Sequence, residues 1–406
     1  MDQSATKQAH VKPRRRWLSF GLRGLMGLIL VIAVLIAWLG QDGFQARYEQ
    51  ATVKQIGLAG GTVTWSVPPV LDPYGNPGPE PTTYERTMKR IFGEEVFYRI
   101  GFVEIPAGAE EAIVRLSKLE KLTDLIVGSG SISDTSIEAI SQLDQLQVLS
   151  LNNTQITPVQ LKRLVRLPKL RRIELAGGSA TQSNIAALAS FSQVNALKID
   201  SRPFVNLPGR EQPKPSVDEK VLIPLARLKQ VQSLELVNFT ITEPVLTAIG
   251  GMQSLKYLGI DDYPSTGDIR FPPHGLESWG ALEQLEAIYL STVPLEDHHL
   301  KSLSQVSSLT AIECDGTQIT DVGLTHLIKL PHPRFVGISG CQVTEETLLK
   351  YASAHPGSSL DIGEPLPANL LVKDGRYGKG CPERQEVLDP TGKEVISMGH
   401  EPGGFF

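Results

Sequence analysis

Apolar residues recur along this chain in a six-residue pattern, apolar-x-x-apolar-x-apolar. It occurs as Leu122-Leu125-Val127, Leu146-Leu149-Leu151, Leu170-Ile173-Leu175 and Val194-Leu197-Ile199. It resumes as Val231-Leu234-Leu236, Leu255-Leu258-Ile260, Leu285-Ile288-Leu290, Leu309-Ile312-Cys314 and Pro333-Val336-Ile338. Six of the eight intervals between starts are 24 residues; 194 to 231 adds 13 and 255 to 285 adds 6. A fixed period of this length marks stacked supersecondary units. The alternating half of each pattern predicts a strand whose apolar residues face one side. Leu161, Leu164 and Leu167 then recur at helical spacing and stop at Pro168, which predicts a helical segment on the other side. One such unit cannot bury its own apolar face, so the units must stack and need caps.

The unit LQVLSLNNTQITPVQLKRLVRLPK, from Leu146, resembles the leucine-rich-repeat motif L-x-x-L-x-L-x-x-(N/C)-x-L. Thr154 stands at the Asn/Cys position, as do Thr317 and Cys341 in later units. The resemblance covers about 240 residues and implies an α/β fold. That fold is a leucine-rich-repeat solenoid, horseshoe-shaped, with about ten parallel strands on the concave face and helical segments on the convex one. It implies no particular ligand, since such arrays host many partners.

Ahead of the array, Arg14-Arg15-Arg16 precedes an uncharged run of 17 residues, Gly24 to Gly40, bracketed by Trp17 and Trp38. Its length and interfacial aromatics predict an uncleaved transmembrane anchor. The alternative is a cleaved signal peptide, but Ala37-Trp38-Leu39-Gly40 is not a small-x-small cleavage site. Net charge is −5 over the chain, yet residues 1–23 carry +5. A basic start on an acidic body fits a membrane surface and argues against nucleic acid. The positive-inside bias places the N-terminus in the cytoplasm and the repeats outside, in a single-pass cell-membrane protein. The segment RRRWLSFGLRGLMGL, with ARYEQATVKQIGLAGGTVTW after it, is similar to the N-termini of membrane-anchored leucine-rich-repeat proteins of planctomycete bacteria, whose function is unknown. That resemblance implies a bacterial envelope location and no reaction.

The resulting organisation is a basic cytoplasmic tail over 1–16, a transmembrane helix over 17–40, and a juxtamembrane helix with an N-terminal cap over 42–105. The array fills 106–363, and a tail follows over 364–406. Within the cap, Ala46, Val53, Ile56 and Leu58 are the apolar helix positions and Gly60-Gly61 the stop. Strands are expected at 62–67 and 96–105, a Pro-rich loop at 68–81, and helices at 84–95 and 110–119. The array has Pro-rich insertions at 201–220 and 261–275, both leaving from the same rim. Part of the tail is expected to cap the array and its end to be disordered.

Chemistry is sparse. The sequence holds no H-E-x-x-H, no phosphate-binding Gly-rich loop and no G-x-S-x-G. No catalytic residue, metal site or cofactor is therefore assigned, and the chain reads as a non-enzyme. His298-His299 is expected on a solvated helix face. Asp200, Asp261 and Asp315, each just past a strand, are expected to be solvated carboxylates too far apart to share an ion. Cys314 and Cys341 read as small structural residues rather than a disulfide.

Two functions remain. One is a membrane-anchored interaction scaffold for a protein or envelope polymer. The other is a structural spacer or cross-linker of the envelope without a specific ligand. For the first, the outward strand positions nominate Tyr257, Tyr289, Glu313 and Phe335, bordered by the second insertion, because exposed rings are enriched in binding hot spots.

Overall fold

The computed structural model describes residues 22–66, 90, 99–202, 219–261, 271–290, 293–363, 371–375, 384–388 and 394–399, with side chains 34–43 and all those beyond 363 left aside. The basic tail, Trp17, the loop at 68–81, most of 84–95, the centres of both insertions and Cys381 lie outside the described residues. The chain divides into two compact units, Met1–Ala51 with Val67–Tyr98, and Thr52–Ser66 with Arg99–Phe406.

Helix α1 runs unbroken over Leu22–Leu58. It joins the described part of the expected anchor segment to the expected juxtamembrane helix without a break. Only Gly40 and Gly43 lie near the junction, and each costs a helix about 1 kcal/mol without breaking it. In its first part Leu25, Met26, Leu28, Ile29, Leu30, Val31 and Ile32 are all 45–68% exposed. Among the residues whose side chains are described, no helix is long and apolar enough to cross a membrane. Gly24 and residues 34–40 of the uncharged run lie outside that set.

The helix ends where Gly60-Gly61 forecast. Gly60 takes φ +79°, Gly60 N–H donates to Gly57 O at 3.0 Å and Gly61 N–H to Ile56 O at 2.9 Å. This is the Schellman pattern, which satisfies the last carbonyls. A Cβ on Gly61 would meet Glu104 O at 2.5 Å, so the second glycine is required by contact. Ile56 is fully buried as expected, but Leu58 is 73% exposed and is not a packing position.

The second unit is built on one fifteen-stranded sheet. Strand β1 (Thr62–Ser66) pairs antiparallel with β2 (Arg99–Pro106) and covers the first edge. Parallel strands then follow in chain order: β3 (Asp124–Gly128), β4 (Val148–Asn152), β5 (Arg172–Ala176), β6 (Ala196–Asp200), β7 (Ser233–Val237) and β8 (Tyr257–Asp261). They continue as β9 (Ala287–Tyr289), β10 (Ala311–Glu313), β11 (Phe335–Gly337) and β12 (Ser359–Asp361). The tail adds β13 (Leu371–Gly375), β14 (Arg384–Leu388) and β15 (Glu394–Gly399), with β15 parallel to β12 through Ser359 and Ser397. From β2 to β12 the parallel ladder has eleven strands rather than ten, because Gly357 stands where the six-residue pattern has its first apolar residue and β12 escapes it, and β15 joins the ladder as a twelfth. The described parts of the tail, β13 to β15, extend the sheet beside β12, and residues 400–406 lie outside the described residues.

The register places the apolar columns side by side: Leu125, Leu149, Ile173, Leu197, Leu234, Leu258, Ile288, Ile312, Val336 and Leu360 pair in sequence, and none exceeds 2% exposure. Leu161, Leu164 and Leu167 close the same core from the helical side, all at 0%. Helical segments after the strands start on a recurring cap. Ser133 accepts from Ser136 N–H, Thr157 forms a capping box with Gln160, and Thr181 accepts from Asn184 N–H.

Candidate partner-binding face

Successive units are tied at the turn after each strand. Thr154 Oγ1 donates to Val127 O at 2.9 Å and to Gly128 O at 3.0 Å, in the preceding unit. Ser179 Oγ donates likewise to Leu151 O, and Cys341 Sγ to Cys314 O at 3.3 Å. Thr317 Oγ1 instead caps its own strand end, donating to Cys314 O at 2.7 Å. Just before the turn the backbone goes left-handed, at Asn153 (φ 55°), Gly177 (φ 57°) and Asn238 (φ 60°), where Asn and Gly are the tolerated residues. The polar turn position thus satisfies a carbonyl that stacking buries, and it recurs with the strand period. The fold is an α/β solenoid of stacked strand–helix units on one mostly parallel sheet, the architecture that the resemblance to leucine-rich repeats implies.

Two solved structures resemble it at low identity. One is an internalin from Listeria monocytogenes str. 4b F2365, 16% identical, covering 69% of this chain and 87% of that one, with a TM-score of 0.39. The other is the TLR13–ssRNA13 complex, 14% identical, covering 60% of this chain and 39% of that one, with a TM-score of 0.38. No family model matches the sequence, and no curated protein matches it.

The open face of the sheet carries two outward columns. In β8 to β11 they read Tyr257 and Gly259, Ala287 and Tyr289, Ala311 and Glu313, Phe335 and Gly337. All four nominated residues lie on this face and are half-buried. Tyr257 pairs with Ala287 and Gly259 with Tyr289, so the two tyrosines are diagonal neighbours as read from the sequence. Tyr289 pairs with Glu313, and Glu313 with Gly337. The rings alternate with glycine and alanine, which leaves low floor between them; Ala287 is 4% exposed. The Tyr257 hydroxyl donates to Glu286 Oε2 at 3.3 Å, and its pKa is raised by burial and by that carboxylate. Lys256 Nζ lies 3.7 Å from the same carboxylate, so it is an ion-pair member rather than a free solvated residue.

Three placements correct the expectations. Asp200 is only 7% exposed: it accepts from Arg202 backbone N–H at 2.9 Å and from the Arg202 guanidinium, whose own pKa rises chiefly through that bond. It is a buried half of a local ion pair, not a solvated carboxylate. Asp315 accepts from Ser339 N–H at 2.7 Å and so joins adjacent turns. His299 is 2% exposed, not solvated. Its Nδ1 accepts from Glu296 N–H at 2.9 Å, which puts the proton on Nε2, facing Pro272 O at 3.1 Å. Phe271 stacks edge-on against it, ring centroids 5.2 Å apart.

The returning end of the second insertion is therefore fastened on the helical side of the array, away from the rings. Sequence reasoning missed this because the contact joins residues 27 apart across a Pro-rich segment. The doublet His298-His299 was the visible signal. Among the described residues, no group of three or more His, Cys, Asp or Glu is placed to hold a metal ion. Cys314 and Cys341 are both free, and burial raises each thiol's pKa.

Proposed function

We propose that this chain is a membrane-anchored scaffold that holds a protein or envelope-polymer partner on the β8–β11 part of its open sheet face. The observation that carries the reading is the set of half-buried rings, Tyr257, Tyr289 and Phe335, spaced by Gly259, Ala287, Ala311 and Gly337. Large rings kept beside small residues on an exposed surface are a cost to solubility that binding repays. Carboxylates on and around this part of the sheet (Asp261, Glu286, Glu313, Asp315 and Asp361) outnumber the cations Lys256 and Arg334. That balance repels a phosphate backbone, and nucleic acid is not the ligand we assign.

The anchor is α1. Its exposed apolar side chains from Leu25 to Ile32 cover the helix on all sides, as suits lipid rather than water. With Arg14, Arg15 and Arg16 ahead of it, the N-terminus lies in the cytoplasm and the array outside. Carbonate washing is expected to leave the full chain in the membrane pellet; a soluble chain starting near Gln41 would overturn the anchor. For the face, photo-crosslinking of the full chain in its own membranes should capture a discrete partner, and the double variant Tyr257→Ala, Tyr289→Ala should lose it while keeping the wild-type melting curve. Retained capture would move the site elsewhere.

A further inference from the structure

Strand β1 covers β2 and becomes the first edge of the sheet in its turn. Among the described residues, no strand and no backbone hydrogen bond lies on its outer side. Its sequence is Thr62-Val63-Thr64-Trp65-Ser66. These are strand formers with no charge and no proline, the two devices that commonly keep an edge from pairing. The strand is also regular. Thr64 pairs with Phe102 and Trp65 with Ile100, so the extra residue of the bulge is Gly101, in β2. The edge at the other end of the sheet, β13, carries Lys373 and Asp374 instead. The apolar column is also unfinished at β1. Val63 pairs with Val103 and Trp65 with Ile100, on the inward face. Val103 and Ile100 are 0% and 1% exposed, whereas Val63 and Trp65 are only half-buried. The last layer of a stacked array needs a cover for its apolar flank.

We propose that β1 pairs antiparallel with β1 of a second copy of this chain, joining two arrays into one sheet across a twofold axis. The strand is complementary to itself in one register. Centred on Thr64, that register sets Thr64 opposite the partner's Thr64, Val63 opposite the partner's Trp65, and Thr62 opposite the partner's Ser66. A ring beside a β-branched residue, and Thr beside Thr, are stabilising cross-strand pairs. No like charges meet. Shifting the centre to Val63 would set Trp65 against the partner's Gly61 and lose the ring contact. Backbone hydrogen bonds supply the affinity, as in other strand additions, and the twofold contact closes both open edges at once. The second copy also lays its Trp65 beside Val63 and so continues the apolar column that ends there. The pairing is separate from the face at β8–β11 and does not depend on it.

The test measures fluorescence transfer between differently labelled full chains in phosphatidylcholine vesicles, with lipid added in steps to separate pairing from crowding. Transfer in the wild type is expected to persist on dilution. Thr64 is exposed on the open face, so its substitution leaves the core intact. Thr64→Lys and Thr64→Glu each set like charges opposite one another across the axis and should weaken pairing about fivefold or more. Mixing the two variants sets opposite charges together and should restore pairing to within about twofold of the wild type. Thr135→Lys, exposed on the helical side, should leave it unchanged. Thr64→Cys should give a disulfide-linked dimer under mild oxidation, above the wild-type background, because opposed Cα atoms of an antiparallel pair lie about 4.5–5.5 Å apart. Wild-type transfer that vanishes on dilution, or that stays the same in Thr64→Lys, overturns the pairing. So does a Thr64→Cys protein with no dimer above the wild type, or a mixture of the two charged variants that recovers nothing.

Discussion

The array has two halves that share a core and differ in everything outside it. From β3 to β8 each strand has five residues; from β9 to β12 each has three. The change coincides with the second insertion. In the first half the outward columns carry Arg172, Glu174, Lys198 and Glu235, which neutralise one another within and between strands. In the second half the same columns carry rings, small residues and acids. Ile173 and Ile312 occupy equivalent inward positions and are 0% and 1% exposed. The inward column is constrained by close packing against the next unit, so it repeats. The outward column does not pack against the core of the next unit, and its composition differs between the two parts.

The sharpest way to break this comparison is through the shared core. Leu258→Ala and Leu149→Ala each remove a fully buried side chain, one in β8 and one in β4, and each should cost about 2–5 kcal/mol in denaturant titrations. Lys256→Ala, at the partly exposed pair with Glu286, should stay within about 0.5 kcal/mol. Equal losses at Leu258 and Lys256 would show that Leu258 is not the packing position of this unit.

Next come the turns. Thr154→Val leaves the buried Val127 carbonyl unsatisfied and should destabilise the first half by about 1–3 kcal/mol. Thr317→Val should cost less, because Cys341 Sγ also donates to the Cys314 carbonyl. Equal costs in hydrogen exchange of the two halves would remove this distinction.

The smallest effect is a pH slope confined to the second half. Burial is the main cause holding the His299 pKa below its ordinary value, against the Pro272 carbonyl and Glu296, which raise it, while the neighbouring His298 lowers it further. A depressed histidine pKa means the unfolded chain binds the proton more readily. The stabilisation is therefore complete above about pH 6.5 and is lost as pH falls below it, at no more than about 1.4 kcal/mol per pH unit. Hydrogen exchange between pH 7.5 and pH 5.5 should show faster opening around 271–303 in the wild type. In His299→Gln that slope should vanish. A slope of the same size in β3 to β6, or one that survives the substitution, would assign it to another group.

Legibility followed from how far apart the interacting residues are. The strands, the helical segments, the Gly60-Gly61 stop and the tyrosine diagonal all follow from short spacings: period two, helical spacing, and a repeat of 24. The strand β12 was missed because Gly357 replaces the first apolar residue of its unit's pattern. Helix α1 runs on through two glycines that look like a boundary but are cheaper than a break. His299 was misread because its burial depends on Phe271 and Pro272 returning from an insertion whose path no periodicity describes.

The sequence alone therefore determined the scaffold: which residues face inward, the period at which units stack and where caps are needed, because burying an apolar column of fixed period has one economical solution. Only the tertiary structure decided which outward charges are already matched and which histidine is out of water. Those outcomes depend on neighbours brought together by stacking from different units, and pairings across units leave no regular trace along the chain.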